Sequence, residues 1–515
     1  MDGDMTVRQR IHRRHHTRPP AHHVVAAADP SAAPSLSSYL FPNQEPEKLY
    51  DSQRSSVFET DGPSDDTLKK YGGGSEAGRE EGKWYVRTGF RNPWDSWHKP
   101  TIGDVWNGVR WGGAADESGE DRAALAIEEE GEEGRQQQRN SIDDALKVVP
   151  PDFSISEPSS TKVTWLGHAT ALLQLPIARH GASTSEPLRV LFDPIFSARC
   201  SPTQYVGPQR TFAAPCQVQD LPRIDVVVIS HSHYDHLDYE SIVQLWQKGE
   251  REGHKPRFMV PLGNKAWFAS LGLGIDDENI VELDWWDEVW LAWSGTGAAS
   301  LSSTDEITRE EPHLRLICTP AQHGSGRYGL DSSTTLWASW TLEHHFDARS
   351  EPLRVFFGGD TGYQFHGSPP DLNDTTSYAP CPAFAQIRRH LGAPVHLCLL
   401  PISVGATFSF VKSYDFIGVI PTMDEGLTSA NHMGPQDAVR VARILGDRHT
   451  LALAIHWGTF VGSLGEVQRS MRELRQACDD NGVDYVRDPS ETGTGARMMF
   501  ACLNHGDGLC YALPR

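Results

Sequence analysis

Histidine and aspartate are concentrated at one point of this chain. Residues 229–236 read Ile-Ser-His-Ser-His-Tyr-Asp-His, which sets His231, His233, Asp235 and His236 in an H-x-H-x-D-H spacing. The preceding run Asp225–Ile229 is rich in β-branched residues and predicts a buried strand, so the motif falls on the turn that leaves it. On a tight turn, His231 and His233 can face one way while Asp235 and His236 reach a neighbouring position. That arrangement suits two metal ions about 3.5–4 Å apart, a spacing common in hydrolases of phosphate esters. Imidazole with carboxylate suits zinc, and hydrolysis needs no redox chemistry. Iron and manganese accept the same donors.

Three more apolar runs end in a residue able to bind metal. LICTPAQ leads into His323, VFFGG into Asp360 and LALAI into His456. Strand ends are where loops converge and sites form, so four such ends bring these side chains to one rim. In Gly358-Gly-Asp-Thr-Gly362 the carboxylate sits in a Gly-rich turn whose backbone can approach an ion closely, which suits Asp360 as a bridge between two ions. His168, in TWLGHAT, and Asp193, in LFDPI, close strands near the same rim, and their expected role is to orient ligands. His254, His313, His344, His345, His390 and His505 read as ordinary surface or core histidines.

The elements that must position these residues are legible as alternation. Strands are predicted at Lys162–Trp165, Arg189–Phe192, Asp225–Ile229, Arg315–Cys318, Arg354–Phe357, His396–Leu400 and Leu451–Ile455. Helices are predicted at Tyr239–Lys248, Pro435–Leu445 and Gly465–Cys478, and the regions 296–311, 366–380 and 407–428 read as loops or insertions. Strands alternating with helices imply an α/β layered domain, placed at 159–515. Residues 1–82 are rich in Pro, Ser, His, Gly and charge and read as a disordered tail, with His12, His15, His16, His22 and His23 solvated in it. Residues 83–113 carry several Trp and read as an arm docked on the core; residues 114–158 read as an acidic low-complexity linker.

The 515 residues carry a formal net charge of −21, which argues against nucleic acid as a partner, because phosphate neutralisation needs excess Lys and Arg. The eight cysteines form no C-x-x-C pair and read as reduced thiols of an intracellular protein. No apolar run approaches the roughly 18 residues of a membrane-spanning helix.

The surrounding motifs point to a family. NPWDSWHKPTIGDV, TWLGHAT, FDPIFSARCSPTQYVGPQR, LPRIDVVVISHSHYDHLDY, ELDWWDE, TPAQHGSGR, LWASW, GGDTGY and AIHWGTF follow one another from about residue 90 to 461. In these stretches the chain resembles N-acyl-phosphatidylethanolamine-hydrolysing phospholipase D, within the metallo-β-lactamase superfamily. The resemblance implies an αβ/βα sandwich of two mixed sheets flanked by helices. It implies two zinc ions per chain: His231, His233 and His323 on one, Asp235, His236 and His456 on the other, with Asp360 bridging. Tyr234 and His432 match the family's residues at the substrate phosphate. Two departures concern the pocket. Gly324 stands where the family usually has a bulky aromatic, and the 407–428 loop is longer and differently composed.

The implied reaction is attack on phosphorus by a hydroxide held between the ions, with Asp235 and Asp360 as the catalytic carboxylates. It releases an N-acylethanolamine and phosphatidic acid. The alternative on the same ligands is a lactonase or a phosphodiesterase acting on a soluble ester. A phospholipid substrate implies a cytoplasmic protein docked peripherally on membranes, through apolar surface rather than a basic field; a homodimer is a family implication alone.

Overall fold

The computed structural model describes residues 6–14, 20–27, 85–101, 103–104, 106, 109–110, 146–155, 157, 160–176, 186–275, 278–294, 313–327, 331–346, 351–367, 370–371, 377–403, 422–423, 425–461, 464–491 and 497–511. Two mixed sheets form its centre. One has seven strands in the order Ile280–Leu283, Arg257–Pro261, Val226–Val228, Leu188–Phe192, Ala171–Leu175, Thr161–Trp165 and Gly508–Tyr511. Its first four run parallel and the rest pair antiparallel. The other has nine: Thr6–His12, Glu288–Ser294, His313–Thr319, Ser339–His345, Leu353–Phe357, Leu397–Pro401, Leu451–Ile455, Met499–Ala501 and Asp484–Val486. Here the first five pair antiparallel and the last five run parallel. Each sheet thus joins a parallel half to an antiparallel half.

Strand periodicity fixes what each face buries, because successive side chains point to opposite sides. Val190 and Phe192, with Val226 and Val228, join the large core that also holds Leu316, Leu342, Val355, Leu399 and Leu453 of the other sheet. Their neighbours Leu191, Val227 and Ile229 face the opposite way, into a second core. The Tyr239–Glu252 helix covers that face with Ile242, Leu245 and Trp246, an i, i+3, i+4 stripe. Asp238 caps it, its carboxylate accepting from the Ser241 amide, and Gly253 at φ 70° ends it. Helices Ala383–Leu391, Pro435–Leu445 and Leu464–Asn481 contribute Phe384, Ile387, Val439, Ala442 and Leu474 to the large core. This is the expected metallo-β-lactamase sandwich, two mixed sheets between helical layers. No helix among the described residues is long and apolar enough to cross a membrane.

The domain reading needs correction at its start. Residues 6–14 and 20–27, inside the expected disordered tail, contain two strands. Thr6–His12 pairs along its whole length with Glu288–Ser294, and His23–Ala27 pairs with Tyr85–Phe90. The segment is too polar to announce a strand, yet an open sheet edge offers backbone partners that need no apolar side chains. His22 and His23 are buried, not solvated; His15 and His16 lie outside the described residues. Part of the expected linker also packs on the core: Leu146 is buried and Val149 N–H donates to His505 O at 2.8 Å. Residues 111–145, with the acidic run, and 404–421, with most of the 407–428 loop, lie outside the described residues. In the Trp-rich arm, Trp94 stacks on Trp285 with centroids 5.4 Å apart, and Ser96 Oγ donates to Gln322 Oε1 at 2.5 Å.

Candidate metal centre

The seven residues read as ligands converge on one rim of the sandwich. The turn after Val226–Val228 carries His231, His233, Asp235 and His236, and it is pinned by Arg327, whose Nη1 donates to Ser232 O at 2.8 Å and to Leu237 O at 2.7 Å. Asp360 leaves the Leu353–Phe357 strand through Gly358 and Gly359. Gly359 has φ +58°, and a Cβ there would lie 2.4 Å from the Ser230 Cβ; at Gly362 a Cβ would lie 1.9 Å from Ala430 O. Only glycine lets this turn close against both neighbours. His168, Asp193 and His456 are non-glycine residues with φ of 49°, 35° and 57°. Such strain clusters at functional sites, where the surrounding structure holds it in place.

Two clusters of ligand atoms form. His231, His233 and His323 make one; Asp235, His236 and His456, with His168, make the other. In the first, His233 Nδ1 lies 2.8 Å from His231 Nε2 and 3.2 Å from His323 Nε2. In the second, Asp235 Oδ2 lies 3.0 Å from His168 Nε2, 3.6 Å from His236 Nε2 and 3.8 Å from His456 Nε2. Asp360 stands between them. Its Oδ2 is 3.4 Å from His323 Nε2 in one cluster, and 3.3 Å from His456 Nε2 and 3.8 Å from His236 Nε2 in the other.

In His231, His236 and His323 the ring nitrogen turned away from these clusters is held by a hydrogen bond. His236 Nδ1 donates to Asp193 Oδ2 at 2.7 Å, and Ser230 donates to the same carboxylate from N at 2.7 Å and from Oγ at 2.5 Å. With Ser230 Oγ committed as donor, His231 Nδ1 donates to it at 2.8 Å. His323 Nδ1 donates to Asn431 O at 3.1 Å. Fixing one nitrogen as N–H leaves Nε2 with its lone pair facing inward, as metal ligation requires.

The electrostatics agree with a site for cations. Burial keeps His231 and His233 below the usual imidazole range and His323 down at about 3, all neutral. Burial opposes charge on Asp235 and Asp360 as well, yet the surrounding imidazoles hold both carboxyls well below the usual carboxylate range. His236 is pulled the other way: burial resists its proton, but Asp235, Asp193 and Asp360 raise it to about 9. The same carboxylates would favour a divalent ion there instead. Among the described residues, His236 Nε2, His456 Nε2 and Asp360 Oδ1 are buried without a hydrogen-bond partner. Buried polar atoms of this kind need an explanation, and the donor set of imidazoles and carboxylates fits two metal ions.

Of the other expected residues, His168 hydrogen-bonds the ligand candidate Asp235 and Asp193 orients His236. Tyr234 and His432 line a cleft of about 490 Å³ over the clusters, and His432 Nε2 lies 2.9 Å from Asp360 Oδ2. Sequence reasoning passed over Ser230, Asn431, Arg327 and Phe460. Arg327 lies over the Tyr234 ring at 4.1 Å, and Phe460 forms part of the cleft wall. Arg327 sits in the TPAQHGSGR stretch, where a signal was present; Asn431 acts through its backbone carbonyl, which no side-chain pattern can reveal.

The site and fold define a metal-dependent hydrolase. A model described as beta-lactamase superfamily domain matches residues 188–457, a span that contains all seven ligand candidates, and the chain belongs to that superfamily. An uncharacterized protein of Mycobacterium tuberculosis is 34% identical over 318 residues, covering 61% of this chain and 63% of its own. N-acyl-phosphatidylethanolamine-hydrolyzing phospholipase D 1 of Caenorhabditis elegans is 29% identical over 364 residues, covering 69% of this chain and 82% of that protein. The mitochondrial N-acyl-phosphatidylethanolamine-hydrolyzing phospholipase D of Saccharomyces cerevisiae is 30% identical, covering 61% of this chain and 51% of that protein. The chain therefore spans less than two thirds of the mycobacterial and yeast relatives' length.

Proposed function

We propose that this protein is a zinc-dependent phosphodiesterase of the phospholipase D type, cleaving N-acyl-phosphatidylethanolamine to an N-acylethanolamine and phosphatidic acid. The observation that carries the reading is Asp360 Oδ2 lying between two ligand clusters, at the floor of a cleft lined by Tyr234 and His432. Two relatives carry that activity in their names, which supports the substrate class.

Bound there, two zinc ions would supply Lewis acidity toward the phosphoryl oxygens and lower the pKa of a water. The chain's own residues would do the positioning. His231, His233 and His323 would hold one ion, Asp235, His236 and His456 the other, and Asp360 both. His432 and Tyr234 face the cleft from opposite segments, where an N–H and an O–H can donate to phosphate oxygens as charge grows on them. Arg327 stacks on the Tyr234 ring and limits its motion. Phe460 and Pro208 give the cleft apolar wall, which suits a substrate with acyl chains. Beside Pro208, Tyr205 is 91% exposed and Val206 66% exposed. An exposed aromatic and aliphatic pair two to three residues before a cleft-lining proline suits contact with lipid, and peripheral docking on a cytoplasmic membrane face is part of the reading.

The test is hydrolysis of an N-acyl-phosphatidylethanolamine in mixed micelles made with oxygen-18 water, with both products identified by mass. Label is expected in phosphatidic acid and not in the N-acylethanolamine, because water attacks phosphorus. Label in a free fatty acid, or turnover confined to lactones or soluble diesters, overturns the assignment.

A further inference from the structure

A second group of metal-ligating side chains lies outside the hydrolytic centre. His22 and His23 come from the N-terminal segment and Asp284 from the turn after the Ile280–Leu283 strand. His22 Nε2 lies 2.7 Å from Asp284 Oδ1, and His23 Nε2 lies 2.8 Å from Asp284 Oδ2. All three residues are buried. Adjacent residues of a strand point to opposite faces, so two neighbouring histidines reach one carboxylate only if the backbone turns between them. It does: His23 N–H donates to Pro20 O at 2.9 Å, and the two rings meet edge to face at 4.6 Å.

Hydrogen bonding satisfies His22, whose Nε2 pairs with Asp284 Oδ1 at 2.7 Å, but leaves His23 short. Among the described residues, both ring nitrogens of His23 are buried without a hydrogen-bond partner, so its short approach to Asp284 lacks the geometry of an N–H donor. An imidazole buried with neither nitrogen satisfied is costly, and an ion removes that cost by taking a lone pair. The three ligand atoms lie within 4.8 Å of one another. Zinc bonds of about 2.0–2.2 Å place tetrahedral ligands about 3.3–3.5 Å apart, inside the 4.8 Å that bounds the spacing of the three atoms here. An apolar casing surrounds the group: His22 stacks on Trp285 at 4.3 Å and on Phe90 at 6.4 Å, and His23 meets Phe90 edge-on at 5.3 Å. The carboxylate is further oriented by the Trp285 amide, which donates to Oδ1 at 2.8 Å. Asp287 stands next to it, accepting from the Asp284 amide at 3.1 Å and from the Arg14 amide at 2.7 Å.

We propose that His22, His23 and Asp284 supply three ligands of a separate site for a zinc-like divalent cation, which clips the N-terminal segment onto the hydrolase domain. The position of the clip gives it a purpose. His23 begins the strand paired with Tyr85–Phe90, and just beyond Phe90 the Asn92 side chain both donates to His323 O at 2.7 Å and accepts from His323 N at 3.2 Å. Fixing this strand pair therefore braces the backbone of a hydrolytic ligand.

The test uses the full chain, loaded with Zn2+ and freed of loose metal by gel filtration. Wild type is expected to hold three zinc ions per chain, and H22A/H23A two, with micellar hydrolysis retained within about threefold. Anomalous diffraction from wild-type crystals at the zinc edge should show a peak among His22, His23 and Asp284 besides the two at the hydrolytic centre. Should the double variant fail to fold, the wild-type anomalous map decides alone. Two ions in wild type with no peak at this position, or three in the double variant, overturns the proposal; peaks missing at the hydrolytic centre would instead count against the zinc assignment there.

Discussion

Replacing Asp360 by Asn tests the centre most directly. The change keeps size and shape and removes one negative charge. That carboxylate oxygen has Nε2 atoms of both ligand clusters 3.3–3.8 Å away, so any ion in either cluster sits close to it. A unit charge pair at 3.3 Å is worth about 5 kcal/mol at an effective dielectric of about 20, and removing one member of a buried charge pair costs about 3–5 kcal/mol in practice. Taking about 4 kcal/mol, turnover should fall by about three decades. The control is His344→Ala, a buried histidine of the Ser339–His345 strand whose ring packs beside Phe346 and touches no ligand candidate. The assay measures N-acyl-phosphatidylethanolamine hydrolysis in mixed micelles together with zinc content. Asp360→Asn should lose metal from the hydrolytic centre and nearly all activity, while His344→Ala keeps the metal and most of the rate. If Asp360→Asn retained its metal and more than about a tenth of wild-type turnover, the placement of Asp360 between the ions would be wrong.

Tyr234→Phe and His432→Ala should each lower lipid turnover by about 100- to 1,000-fold with zinc content unchanged; loss of zinc in either would make that residue a ligand. Deleting residues 1–27 should lower the melting temperature by several degrees, because it strips the edge strand from Glu288–Ser294 and the pairing partner from Tyr85–Phe90; calorimetry showing no change would mean that these strands contribute nothing to stability. Burial holds His505 down at about 3 against an ordinary 6.5, so the folded state binds fewer protons than the unfolded state between those values. The stability this histidine provides is present above pH 6.5 and lost as pH falls toward 3. His505→Gln should flatten that part of the melting profile, and an unchanged acid slope would refute the assignment.

Residue types and their spacing carry the ligand candidates and the main elements. H-x-H-x-D-H after a β-branched run, and strands ending in His323, Asp360 and His456, put the ligand types where a rim would form. Leu451–Ile455 and Pro435–Leu445 have the same bounds in the fold as in the pattern, because full burial of a strand and an amphipathic helix between Pro and Gly both write strong local signals. The rest depended on partners distant in sequence. Thr6–His12 has no apolar alternation to mark it as a strand; it becomes one because the exposed edge of Glu288–Ser294 offers its backbone hydrogen bonds. His22 and His23 looked like members of a polar run, and only the approach of Asp284, 262 residues from His22, makes them a buried group. Likewise, which nitrogen of His231, His236 and His323 faces inward is set by Ser230, Asp193 and the Asn431 carbonyl. Residue type and spacing specify which atoms can bind an ion. The burial that strips those atoms of water, and the hydrogen bonds that fix their tautomers, arise only when two sheets close over one rim.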